Sequence, residues 1–179
     1  MKYLVVSDIH GSAFYCQKFL EIAERQKPDQ IIILGDILYH GPRNDLPYGY
    51  NPKKVIEMLN SHKDIITSVR GNCDAEVDQM VLAFPIMADY KEFDIGHHHY
   101  CATHGHLDIK TKIPPLKDGD ILLCGHTHID AFEKRDGYYY MNPGSISIPK
   151  SNYHSYIMIE DDNVYFMDLS GNVFRKVTL

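Results

Sequence analysis

Five short segments of the chain carry side chains that bind metal ions. They are Asp8-Ile9-His10, Gly35-Asp36, Gly71-Asn72-Cys73-Asp74, His104-Gly105-His106 and Gly125-His126-Thr127-His128. Imidazole nitrogens suit Mn, Fe, Zn, Co and Ni, and a carboxylate can bridge two cations through its oxygens. Any one of these segments alone is an ordinary turn or helix cap. Among them, His10, His104, His126, His128, Asp8, Asp36 and Asn72 make four histidines, two aspartates and an asparagine, a dense stock of ligands that gives a reason for 11 histidines in 179 residues. The adjoining glycines let the backbone turn sharply and approach an ion closely.

Each segment follows a run that the pattern of apolar residues predicts as a strand. Residues 2–7 and 30–34 are continuous apolar runs, as in strands buried on both faces of a parallel sheet. Between them Cys16, Phe19, Leu20 and Ala23 share one face of a helix, with Ser12 as its cap and Pro28 beyond its end. This β-α-β unit implies a right-handed crossover. A second helix is predicted from Asn51-Pro52 through Val55, Ile56 and Leu59, then a strand at 65–69 and a short helix over 75–83. Short segments near 91–95, 98–103, 120–124, 131–134, 137–141, 154–160 and 163–168 are rich in Tyr, Phe, Ile and Val, and turn residues such as Asp136-Gly137 separate some of them. The front half is expected to be β-α-β-α-β and the back half mostly antiparallel. Loops at the carboxyl ends of parallel strands converge on one edge of an α/β sheet, where ligands bind. Residues 38–51, with two Pro, two Gly and three Tyr, are expected to form a long surface loop.

Composition narrows the classes. An apolar fraction of 44% and a charged fraction of 23% fit one globular domain, residues 1–179. No apolar run reaches the roughly 18 residues of a membrane span, and residues 1–8 lack the core of a secretion signal. The four cysteines form no C-x-x-C pair, so free thiols in a reducing cytoplasm are expected. A net charge of −6 without a basic run argues against a nucleic-acid-coating surface, and no sequence-specific nucleic acid is expected as a partner. Exposed tyrosines of the back half permit a homo-oligomer without demanding one.

The order D-x-H, G-D, G-N, H-G-H, G-H-T-H resembles the motif set of the calcineurin-like metallophosphoesterase superfamily, from Asp8 to Asn142-Pro143-Gly144-Ser145. Within it the chain looks like the small bacterial YfcE-type phosphodiesterases, on Gly71-Asn72-Cys73-Asp74 with Glu76-Val77-Asp78, and on Asn142 to Ser145 before Ser147-Ile148-Pro149-Lys150. The resemblance implies an α/β (α+β) fold, a β-sandwich of two mixed sheets flanked by helices, with the site at the carboxyl edge of the strands. It implies two divalent metal ions, Mn2+ foremost and Zn2+, Fe2+, Ni2+ or Co2+ as alternatives. Asp8, His10 and His128 would bind the first, Asn72, His104 and His126 the second, and Asp36 both.

The implied chemistry is hydrolysis of a small phosphodiester by a hydroxide held between ions roughly 3.5–4 Å apart. A phosphomonoesterase is the alternative, with only Arg43, Arg70 and Lys150 placed to meet a second negative charge. A non-catalytic protein-binding scaffold, as in a retromer subunit of this fold, and a zinc store are weaker readings. Catalytic roles fall to Asn72 and Cys73. Cys73 stands where many larger relatives carry a histidine, and a thiol is a poorer proton donor than an imidazolium at neutral pH. Among the other histidines, His97-His98-His99 is expected to be a solvated hairpin turn, His106 to face the site without being a ligand, and His40 to head the loop. Asp74, Glu76 and Asp78 are expected in the first turn of a helix.

Overall fold

Apolar runs alternating with helical spacing produce two crossovers in the first 70 residues. The computed structural model describes all 179 residues. Strand β1 (Lys2–Val6) leads to helix α1 (Ala13–Gln26), whose amino end is closed by the Ser12 hydroxyl accepting the Tyr15 N–H. Strand β2 (Gln30–Ile33) follows, then α2 (Pro52–Asn60) capped by Asn51, a 3-10 turn at Lys63–Ile65 and β3 (Ile66–Ser68). The three strands are parallel. Helix α3 (Glu76–Gln79) is shorter than the predicted 75–83, because Asn60 takes the Ala83 N–H and the Val81 carbonyl into a non-helical turn. Asp74 lies outside that helix, which corrects the expectation for it.

The back half contains β4 (Tyr90–Ile95), β5 (His98–Thr103), α4 (Ile109–Lys112), β6 (Ile121–Leu123), β7 (Asp130–Arg135), β8 (Tyr138–Pro143), β9 (Ser155–Glu160), β10 (Asn163–Asp168) and β11 (Val173–Thr178). One sheet has the order β11-β10-β9-β1-β2-β3 and the other β4-β5-β6-β8-β7. The back half is mostly antiparallel, as expected, through β4–β5, β7–β8, β9–β10 and β10–β11. The exception is a parallel core of the second sheet, where β5, β6 and β8 run parallel to one another. β5 reaches β6 through loops and one turn of helix, and β6 reaches β8 through strand β7, so neither connection leaves the period of a long crossover helix in the sequence. Neither α4 nor β11 was predicted.

Period-two alternation decides which side chains meet. Tyr3 and Val5 point from β1 into a layer between the sheets, where they join Leu34, Tyr100, Ile121, Leu123 and Phe166. Leu4 and Val6 point the other way, beneath α1 and α2, against Phe19, Leu20, Val55 and Leu59. The outer face of the second sheet is covered by Ile109, Ile113 and Leu116 over Cys101, Leu122 and Tyr140. The result is a sandwich of two mixed sheets with few helices, whose parallel strands end on the same side.

Candidate metal centre

Asp8 follows β1, Asp36 follows β2, Asn72 follows β3, His104 follows β5, and His126 and His128 follow β6. Of the eight non-glycine residues with positive φ, five are Asp8, His10, Asp36, His126 and His128. Left-handed backbone costs an L-residue roughly 1–2 kcal/mol, so neighbouring contacts must hold each in place. The Asp8 carbonyl accepts from the Ser145 and Ser147 hydroxyls, both at 2.8 Å. Its Oδ2 accepts from the Ser7 hydroxyl at 2.6 Å and the His126 N–H at 3.0 Å. Asn142 ties the 125–128 turn to β8 by donating to the Gly125 carbonyl at 2.7 Å. Two glycines permit the approach: a side chain at Gly71 would collide with the Asp36 carboxylate, and one at Gly125 with the Ser7 hydroxyl.

These contacts bring the seven sequence-predicted side chains to one place. Nδ1 of His10, His104 and His128 lies 2.8, 2.6 and 2.9 Å from the carbonyls of Tyr39, Leu34 and Ile148. A carbonyl only accepts, so each Nδ1 carries the proton and each Nε2 lone pair points inward. His10 Nε2 and His128 Nε2 are 3.3 Å apart, and lie 3.5 and 3.2 Å from Asp8 Oδ1. Asp36 Oδ2 stands between the two halves of the cluster, 3.6 Å from His10 Nε2 and 3.4 Å from His104 Nε2. Asn72 Oδ1 is 3.1 Å from His104 Nε2, and the His126 ring is 5.1 Å from that of His104. Asp8 Oδ1 is buried and has no hydrogen-bond partner. Lone pairs facing lone pairs around an unpartnered buried carboxylate oxygen fit a divalent cation, and the oxygen and imidazole donors suit a first-row metal.

Without a cation the cluster shares protons. Burial pushes the Asp8 carboxyl up, but the His10 and His128 imidazoles outweigh it and hold it well below the usual carboxylate range. Asp36 is also held down, against burial, by the His104 imidazole. Burial opposes charge on His104, yet Asp36, Asp8 and the Leu34 carbonyl raise it to about 9. His10 is raised against burial by Asp8 and the Tyr39 carbonyl. Burial and positive charge on His104 lower His106 and His126. The Cys73 thiol is pushed up to about 12 by burial and by the Asp36 carboxylate.

A cleft of about 370 Å³ opens beside the cluster, lined by Asp36, Asn72, Cys73 and His126 on one side and by Gly41 to Asn44 and Lys150 on the other. The 38–51 loop is therefore a wall of the site. Arg43 and Lys150 reach the cleft and Arg70 is not among its lining residues. His106 stands beside His104 and His126, half-buried. His40 packs between Tyr39 and Tyr50, and its carbonyl accepts from Asn44, so it shapes the loop. Gly96 and His97 form the β4–β5 turn, while His98 and His99 lie on β5 against Asp162, Asp94 and Glu92. Sequence reasoning missed the residues that brace the cluster: Ser7, Asp74, Asn142, Ser145 and Ser147. Asp74, Asn142, Ser145 and Ser147 lie in motifs that the sequence singles out, without a sign of these contacts, and Ser7 carried no signal at all.

A model of the calcineurin-like phosphoesterase superfamily domain matches residues 1–163. The chain belongs to that superfamily. Phosphodiesterase YfcE of Escherichia coli K12 is 45% identical over 163 residues, covering 90% of this chain and 89% of the relative. A probable metallophosphoesterase of Mycoplasma pneumoniae is 30% identical over 84% of this chain and 82% of its own. The solved structure of YfcE, a phosphoesterase from E. coli, superimposes with a TM-score of 0.94 at 42% identity over 99% of each chain. Vacuolar protein sorting 29 from Cryptosporidium parvum, with a TM-score of 0.66 and 18% identity over 99% of this chain and 98% of its own, shares the fold alone. The calcineurin-like chain is a phosphoesterase of the kind that uses divalent metals. No helix in it is long and apolar enough to cross a membrane.

Proposed function

We propose that the chain hydrolyses small phosphodiesters with two divalent cations held where the two sheets meet. Asp8, His10 and His128 would hold one, Asn72, His104 and His126 the other, and the Asp36 carboxylate would serve both. When bound, such a pair supplies positive charge to a phosphoryl group and a nucleophile drawn from water near neutral pH. The observation that carries this is the aim of three imidazoles. Each spends Nδ1–H on a main-chain carbonyl, leaving Nε2 to converge on carboxylate oxygens. Manganese suits the mixed oxygen and imidazole set.

The chain's own residues orient the ester. Arg43 and Lys150 line the cleft and pair with no carboxylate, so they are free to neutralise a phosphate. Asn72 turns its amide nitrogen toward Cys73 Sγ at 3.3 Å and retains a second N–H for the cleft. The set of donors stays positive when loaded, although the chain carries a net charge of −6. One domain spanning residues 1–179 and a reducing cytoplasm suit the two shared cores and the four free thiols.

The test joins metal analysis to turnover. Purified chain loaded with Mn2+ should hold about two equivalents. It should cleave bis-p-nitrophenyl phosphate faster than p-nitrophenyl phosphate, and lose both activities to chelator. Asp36→Ala should lose turnover and metal together. Turnover that survives chelation, or survives Asp36→Ala, overturns the proposal. A faster monoester reaction would favour the phosphomonoesterase instead.

A further inference from the structure

The cleft beside the cluster is one lobe of a longer trough. A second cavity of about 400 Å³ runs past His128 and shares Arg43, Asn44 and Lys150 with the first. The lobes differ in chemistry. One is walled by the protic groups Asn72, Cys73 and His126. The other gathers Leu46, Pro47, Tyr48 and Ile148 on its wall, beside the polar Asp45, His128 and Ser147.

Tyr48 is 69% exposed, yet it is fixed. Its carbonyl accepts from the Ser12 hydroxyl at 2.6 Å. Its ring stands edge-on to Phe14, with centroids 4.7 Å apart and planes at 89°. The next residue, Gly49, has a φ of +68° and lies so close to Phe14 that any side chain there would collide. An aromatic ring fixed against a neighbouring ring, with most of its surface open, is a platform for another flat ring.

We propose that the Tyr48 lobe receives one arm of the diester, and that this arm carries a flat, uncharged aromatic group, either a nucleobase or a simple aryl. The inference rests on the phosphodiesterase reading above. The phosphate would sit at the junction of the lobes, where Arg43 and Lys150 belong to both. The bond broken is that from phosphorus to the oxygen of the arm in the protic lobe. Water gives its oxygen to phosphorus, the departing alcohol leaves with a proton, and the arm on Tyr48 remains as a monoester. A monoester substrate, with a single arm, would leave one lobe empty.

Three p-nitrophenyl diesters separate the possibilities, with methyl, p-nitrophenyl or 5′-thymidyl as the other arm, assayed on the Mn2+-loaded full chain. The readout is kcat/KM for each aromatic arm divided by that for methyl, the bis-ester being halved for its two equal leaving groups. The wild-type ratio should be about tenfold or more for at least one aromatic arm. Tyr48→Ala should bring it near one and Tyr48→Phe should preserve it. Tyr48→Leu, which keeps apolar bulk against Phe14, gives the same reading should the alanine variant not fold. A larger ratio for thymidyl identifies a nucleobase, and a larger one for nitrophenyl a simple aryl. A wild-type ratio near one for both, or a ratio unmoved by losing the Tyr48 ring, overturns the subsite. Metal-loaded wild type that cleaves none of the three diesters fails the phosphodiesterase reading itself.

Discussion

Asp74 holds Asp36 through the main chain. Its Oδ2 accepts the Asp36 N–H at 2.8 Å and the Gly71 N–H at 2.7 Å, and its Oδ1 accepts the Ile37 N–H at 2.9 Å. One buried carboxylate thus fastens the turn after β2 to the turn after β3. In Asp74→Asn an amide nitrogen replaces one acceptor oxygen and strands at least one buried donor, at a cost of about 1–3 kcal/mol. Urea unfolding should show that loss, with reduced metal content in the same variant. Unchanged stability would remove Asp74 from its bracing role.

Gly71→Ala tests the same junction from the other side. The new methyl would be driven into the Asp36 carboxylate. Displacing that group by about 1 Å should lower kcat/KM on the order of a hundredfold. Far-ultraviolet circular dichroism should stay near that of the parent. Activity within threefold of wild type would mean that Asp36 tolerates displacement.

Cys73 is a weak proton donor, its thiol pushed up to about 12 by burial and the Asp36 carboxylate. A poor leaving group depends most on a donor. Cys73→His should therefore speed hydrolysis of an alkyl leaving group by about tenfold or more, and that of nitrophenolate far less. Equal acceleration of both would show that position 73 does not act through protonation.

Stability of the metal-free chain should depend on pH through its imidazoles. His104 is raised to about 9 from 6.5, chiefly by Asp36 and Asp8 once the opposing effect of burial is overcome. A raised group contributes its full stabilisation below its unfolded pKa and loses it as pH rises through the folded one. His10 is raised as well and acts in the same sense. Asp8 and Asp36 are lowered, so their contribution persists across that window and is lost only in acid. The urea midpoint in chelator should thus fall between about pH 6.5 and 9. With metal present the trend should reverse, because ligands must shed protons to bind. A flat profile in chelator would contradict the assigned proton sharing.

The first three parallel strands and both long helices were legible because period and caps agreed, as at Ser12 for α1 and Asn51 for α2. The seven ligand candidates were legible because each motif follows a recognisable apolar run. The sandwich was legible through the family resemblance and not from periodicity. Pairing between β5, β6 and β8 depends on contacts across loops such as 104–120, which carry no periodic signal. Asp74 was misread because the two helix-start carboxylates, Glu76 and Asp78, lie just after it. Its true partners, Asp36 and Ile37, are more than thirty residues away in sequence. Tyr48 gave no signal beyond loop composition, since its role depends on where Phe14 stands.

The cluster draws Asp8, Asp36 and Asn72 from the tips of one sheet, and His104, His126 and His128 from the tips of the other. A cation lodged among them therefore works as a rivet through both layers, at one end only. Away from the cluster, Met1, Tyr3 and Gln30 line with Lys91 and Phe93 a gap of about 360 Å³ that has no such fastening. Loading with metal should stiffen the layers at the tips that carry the chemistry, and leave the seam beyond them to breathe.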